Sequence, residues 1–192
     1  MIKSKKDLMI FLKEDRRISF NGKNMSLIEY YVKKWARHSD VLACDYLYTL
    51  RKYEYVLNCK KGFLGRILRF YYHLIWLRKS YKYNIYITPN TVGYGLKLMH
   101  FSQGGITINC KSMGCYCSCN TSVLIGNKDG QNNTAMIGDN VVFGPGVKVI
   151  GKLTIGNNVF VAANAVVVKD IPANSIVGGI PAKVIKEKTD NR

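Results

Sequence analysis

At 192 residues, with 47% hydrophobic and 21% charged side chains, the chain has the make-up of an ordered protein with one good core, or one core plus a smaller attached domain, and not of a disordered segment. Its 29 Lys and Arg against 12 Asp and Glu give a formal net charge of +17, which favours acidic partners: phosphates, anionic lipid surfaces or nucleic acid. The excess lies mainly in the first half, where residues 1–90 carry 19 basic and 7 acidic side chains and residues 91–192 carry 10 and 5.

The N-terminus does not read as a secretory signal. After Lys3, Lys5 and Lys6, the apolar stretch Leu8-Met9-Ile10-Phe11-Leu12 is short and runs into Lys13-Glu14-Asp15-Arg16-Arg17. No run of about 18 uncharged apolar residues is present. Six cysteines without a signal read as free thiols of a cytoplasmic protein.

Residues 1–80 have helical spacing. Ser26-x-x-Glu29 is a capping box ahead of Leu27, Ile28, Tyr31, Val32 and Trp35. Asp40 is the expected cap of a second helix running to about Leu57, where Lys61-Gly62 breaks it. A third runs from about Phe63 to Lys79, with Leu64, Ile67, Leu68, Tyr71, Leu74 and Ile75 on its apolar side. Pro89-Asn90 marks the change of regime.

From Val92 onward the period is six. Val167, Val161, Ile155, Val149, Phe143 and Ile137 fall at steps of six, and Ile125, Cys119 and Met113 keep the phase upstream. Four residues after most of them stands a second small or aliphatic residue: Ile171, Ala165, Val159, Leu153, Val147, Val141, Val123 and Cys117. Val92 and Leu98 are also six apart, in another phase. Six matches neither a helix nor a simple strand, but it matches a parallel β-helix whose coil turns a corner at each repeat. Gly138-Asp139-Asn140, Gly144-Pro145-Gly146 and Gly156-Asn157-Asn158 supply residues that accept φ > 0 in tight corners. Two segments interrupt the pattern: His100–Gly105, and the polar run Asn127–Thr134, which is expected to project as a loop.

Gly179-Ile180-Pro181-Ala182-Lys183-Val184-Ile185 resembles the closing segment of hexapeptide-repeat acyltransferases. With Val92-Gly93-Tyr94-Gly95-Leu96 and Leu98-Met99-His100, the similarity narrows to the serine acetyltransferase-like branch, which includes O-acetyltransferases of surface-polysaccharide synthesis. It covers about residues 80–186. The resemblance implies a left-handed parallel β-helix preceded by an N-terminal helical domain, which divides the chain into residues 1–84, 85–178 and a tail at 179–192. It also implies a homotrimer that holds acetyl-CoA in a groove between neighbouring coils, with His100 as the catalytic residue. By the same similarity Gly126, Gly144, Pro145, Ala162, Ala163, Gly179, Pro181 and Lys183 line the path of the cofactor.

The chemistry is consistent with that assignment. A histidine can take the proton of an acceptor hydroxyl and return it to the departing CoA sulfur, while backbone N–H groups of Gly104-Gly105 or a neighbouring corner receive the oxyanion. Asn84 or a backbone carbonyl is expected to orient the imidazole. Three features depart from the serine-specific pattern: Met99 stands where that pattern has aspartate, residues 127–134 hold no histidine, and no acid occurs between Glu54 and Asp129. These favour a sugar or polysaccharide-precursor hydroxyl, held by Gln103, Asn109, Asn127 and Asp129. Serine O-acetylation, as in cysteine biosynthesis, is the alternative, and a catalytically silent trimeric scaffold a third reading.

Cys110, Cys115, Cys117 and Cys119 lack paired metal-ligand spacing, and two of them fall on inward repeat positions, so no metal is expected. Residues 63–82 interleave Arg66, Arg69, His73, Arg78, Lys79 and Lys82 with apolar side chains. This fits a helix that docks its apolar side on the prism or a sister subunit, or one that lies on the inner face of an anionic membrane. No nucleic-acid motif accompanies the charge, so nucleic acid is not an expected partner.

Overall fold

The computed structural model of the chain describes residues 1–23, 25–128 and 134–188. Four helices come first: α1 (Lys5–Ser19), α2 (Leu27–Trp35), α3 (Ser39–Cys59) and α4 (Gly62–Tyr83). Ser4 and Ser26 cap α1 and α2, their hydroxyls accepting the backbone N–H of Asp7 at 3.1 Å and of Glu29 at 3.2 Å. Asp40 is not the cap of α3. The chain leaves α2 through Arg37 in a left-handed conformation (φ 57°), with His38 N–H bonded back to Lys33 O at 2.9 Å, and this turn makes His38 the residue that leads into α3. Asp40 sits instead in the first turn, where its negative charge favours the helix N-terminus.

From Ile85 the chain winds into a three-sided prism. Its strands are β1 (Ile85–Ile87), β2 (Lys97–Leu98), β3 (Ile106–Ile108), β4 (Ser112–Met113), β5 (Ser118–Cys119), β6 (Val123–Gly126), β7 (Met136–Ile137), β8 (Val142–Phe143), β9 (Lys148–Ile150), β10 (Thr154–Ile155), β11 (Phe160–Val161), β12 (Val166–Val167), β13 (Ser175–Gly179) and β14 (Ala182–Glu187). One face stacks β1, β3, β6, β9 and β12, the second β4, β7 and β10, and the third β2, β5, β8, β11 and β13. All these pairs are parallel, and β14 closes the third face antiparallel to β13.

The six-residue phase is the register of the stack. Phe143 lies over Val161 and Ile137 over Ile155, three hexads apart. All nine in-phase positions and their eight partners are buried. Asn140, Gly146, Asn158 and Asn164 turn corners with φ between 55° and 76°. Val92 and Leu98 belong to the same inward stack, over Met113 and Cys119. They read as out of phase because the corner from Leu98 to Ile108 is longer than a hexad and that from Ile108 to Met113 shorter. The first of these corners carries a 3₁₀ turn, Phe101–Gln103. The second interruption adds one hexad between Ile125 and Ile137, and its residues 129–133 lie outside the described residues.

The apolar stripes predicted for the helices face outward instead of inward. In α2 no residue is buried, and Leu27, Ile28, Tyr31, Val32 and Trp35 are all exposed. In α4 the packed side is Gly65, Trp76, Ser80 and Tyr83, while Leu64, Ile67, Leu68, Tyr71 and Leu74 are exposed. Aromatic and small residues on the other side of α4 form the better fit to α3 and β1. Trp76 stacks on Tyr53 with ring centroids 5.6 Å apart, and its indole N–H donates to Tyr46 Oη at 3.2 Å.

One hydrophobic core runs from Tyr46 and Leu50 through Trp76 and Tyr83 to Ile85, Ile87 and the prism interior. A buried polar knot reinforces this joint. Arg51, fully enclosed, donates to Asp15 Oδ2 (2.8 Å), Glu54 Oε2 (3.0 Å), Val92 O (3.0 Å) and Gly93 O (2.7 Å). Asp15 in turn accepts the N–H groups of Gly95 and Leu96, and Glu54 that of Asn90. Burial opposes the charge of Arg51, but the two carboxylates outweigh it and hold the guanidinium protonated.

Candidate active site

Each coil turns three corners, and His100 stands on the one that leads from the third face to the first. Successive coils place there His100–Gly105, Asn120–Ser122, Gly144–Gly146, Ala162–Asn164 and Gly178–Gly179. A backbone ladder runs up this edge: Ser122 N–H to Gly105 O (2.7 Å), Gly146 N–H to Thr121 O (2.9 Å) and Asn164 N–H to Pro145 O (2.8 Å). With coils about 4.8 Å apart, the edge from His100 to Ala162 spans roughly 14 Å. Seven of the predicted residues thus share one edge: His100, Gln103, Gly144, Pro145, Ala162, Ala163 and Gly179. Lys183 flanks it, since its backbone pairs with Gly178 on the exposed β13–β14 hairpin, which turns at Gly179 through a cis Ile180–Pro181 bond.

Three predicted residues are elsewhere. Gly126 ends β6 and Asn127 follows it, and Asn109 follows β3, all at the next corner; one strand, about 10 Å, separates them from the His100 edge. Asn109 accepts from Thr88 Oγ1 at 3.2 Å and lines a cavity of about 510 Å³ with Thr88, Lys111, Thr134, Met136 and Lys152. Asp129 falls outside the described residues.

His100 adopts a left-handed conformation (φ 52°) and its ring is exposed. Among the described residues the imidazole has no hydrogen-bond partner. Asn84 does not orient it: the Asn84 amide packs over Gly105, where an added Cβ would come within 2.6 Å of Nδ2. Nor are Gly104 and Gly105 free donors, because both N–H groups bond to Phe101 O, at 3.3 and 2.7 Å. The 3₁₀ turn consumes them. On the same edge Ala163 N–H has no acceptor among the described residues, and neither has His100 N–H.

The small residues of the edge divide into two kinds. At Gly144 a Cβ would come 2.8 Å from Ala163 N, so coil-to-coil approach alone demands glycine there. Gly179 is different: a Cβ would meet only Pro181 O, at 3.5 Å. Pro145, Ala163 and Gly179 are exposed and leave the outer surface of the edge shallow.

Two residues of this edge escaped sequence reasoning. Thr121 stands at the same corner one coil on from His100, its Oγ1 2.8 Å from where a Cβ on Gly104 would lie. Its Oγ1 is buried without a hydrogen-bond partner among the described residues. Lys148 reaches the same edge from β9 and donates to Ser122 O at 2.6 Å. Neither was visible without the offset between coils, which the phase break at His100 hides.

Cys110, Cys117 and Cys119 are buried in the prism. Burial pushes the Cys117 thiol up to about 12 and that of Cys110 to about 11, and raises that of Cys119 well above its ordinary value, which disfavours the thiolate that a metal ligand or nucleophile requires. Among the described residues no group of three His, Cys, Asp or Glu could hold a metal ion.

Residues 134–169 match the family of bacterial transferase hexapeptide (six repeats). The matched stretch runs from β7 to β12 of the prism, whose fold is a left-handed parallel β-helix. Within that class its similarity is to serine acetyltransferases. It is 34% identical over 96 residues to the serine acetyltransferase of Synechococcus elongatus, covering 49% of this chain and 39% of that one. It is 29% identical over 141 residues to that of Buchnera aphidicola, covering 62% and 52%. The serine acetyltransferase of Brucella abortus, solved in complex with coenzyme A, superposes with a TM-score of 0.67 at 19% identity over 96% of this chain and 70% of that one, a likeness of fold. The chain thus spans about two fifths to half the length of these two curated relatives.

Proposed function

We propose that the protein is an acetyl-CoA-dependent O-acyltransferase of the serine acetyltransferase kind, acting as a homotrimer with His100 as general base. The observation that carries this reading is the single prism edge that stacks His100 below Pro145, Ala163 and Gly179, with Lys183 flanking it. An elongated donor laid along that edge has its thioester near the imidazole, the Ala163 N–H beside its amide-bearing arm, and Lys183 near its phosphates. His100 takes the proton of the acceptor hydroxyl as the oxygen attacks the thioester carbon, then gives it to the sulfur as the C–S bond breaks. The trimer rests on the family resemblance and is checked by a solution mass of three times 21.7 kDa.

The relatives' names favour L-serine as acceptor over the sugar hydroxyl that the sequence alone suggests. One observation keeps the sugar as a second reading: no Asp or Glu occurs in the five segments that build the His100 edge, so among the described residues these segments offer an ammonium group no carboxylate. Thiol release from acetyl-CoA with L-serine, set against a panel of sugars and sugar nucleotides, separates the two. His100→Ala is expected to slow release with the preferred acceptor about 10²–10⁴-fold at unchanged mass and melting temperature. A variant as fast as wild type removes His100 from the mechanism.

A further inference from the structure

Helix α4 is apolar on both sides. Its inner side, Gly65, Trp76, Ser80 and Tyr83, packs on α3 and β1. Directly opposite, Phe63, Ile67, Phe70, Leu74, Arg78 and Tyr81 form a ridge along a helix about 33 Å long. Phe63 is 75% exposed, Phe70 66% and Tyr81 80%. Exposed aromatic and aliphatic side chains in continuous register indicate a surface that something covers.

Charge identifies the cover. Lys60, Lys61, Arg66 and Lys82 surround the ridge and Arg78 stands within it, and among the described residues none of these five has a carboxylate partner. From Tyr55 to Lys128 the chain contains no Asp or Glu at all. Pairing the ridge with that of a second copy would bring like charges together with no acid to separate them, which disfavours self-association through this face. A surface that is apolar within and anionic at its boundary meets both demands at once. No helix among the described residues is long and apolar enough to cross a membrane, so the contact is one of lying on the surface.

We infer that α4 docks the protein on an anionic lipid bilayer, with Phe63, Ile67, Phe70, Leu74 and Tyr81 entering the headgroup boundary and the flanking Lys and Arg meeting lipid phosphates. This stands on α4 alone and is independent of the acyltransfer reading. The test is flotation of the full chain with vesicles of phosphatidylcholine, alone or mixed two to one with phosphatidylglycerol. The protein is expected to float with the mixed vesicles, stay behind with the neutral ones, and be released in part by added salt. Arg78→Gln with Lys82→Gln is expected to weaken partitioning about 25-fold, and Phe70→Asp to abolish flotation, both at unchanged melting temperature and solution mass. Absence of flotation with anionic vesicles, or equal flotation with neutral ones, overturns the inference. So does a Phe70→Asp variant whose solution mass falls, since the ridge would then be an interface between copies.

Discussion

The prism and the helices answer the same question differently. Residues picked for the prism by their period of six, from Met113 to Val167, are all buried; residues picked for α2 and α4 by helical period are mostly exposed. The cause is geometric. A closed coil has one interior, so an aliphatic residue at the repeat position has only one place to go. A helical stripe names a face without naming its cover, and α4 has an apolar face on each side.

The sharpest challenge to this contrast lies at the joint. Arg51→Ala would leave Asp15 and Glu54 as buried carboxylates without their cation, and removing one partner of such a knot costs about 3–5 kcal/mol. The urea midpoint is expected to fall accordingly, with the helices and the prism unfolding together because one core runs through both. If Arg51→Ala unfolded the helices in a separate early transition, the halves would be energetically independent. A matched pair of phenylalanines probes the halves directly. Phe143→Ala opens a cavity inside the prism and is expected to cost about 3–5 kcal/mol, whereas Phe70→Ala on the α4 ridge should stay within about 0.5 kcal/mol in the absence of membranes. Equal losses would mean that the ridge is packed in solution.

How much could be read beforehand follows the same division. The prism was legible from Val149 and its neighbours because burial there is a matter of spacing. The His100 edge was legible in part: His100, Pro145, Ala163 and Gly179 are local in sequence motifs, but their alignment on one edge depends on coil lengths that the insertion after Leu98 alters. Thr121 and Lys148 went unseen for that reason, and Asn109 stands at the next corner. Gly104 and Gly105 looked like free donors because glycine pairs often are, but the 3₁₀ turn that makes room for His100 ties both to Phe101 O. Arg51 gave no signal, since three of its four partners, Asp15, Val92 and Gly93, are far from it along the chain.

The smallest effect tests the one corner feature that was read correctly at the level of a single dihedral. Asn140 has φ 55°, a conformation that costs a residue with an ordinary Cβ about 1–2 kcal/mol and that Asn and Gly accept more readily. Asn140→Ala is therefore expected to lower stability by about 1 kcal/mol, and Asn140→Gly to change it by a few tenths at most. Because the neighbouring coils repeat the corner at Asn158 and Asn174, the double substitution with Asn158→Ala should add to the first, if each corner pays its own strain. A double mutant no worse than the single would show that the corners relax together, and that the six-residue period governs the stack as a whole and not corner by corner.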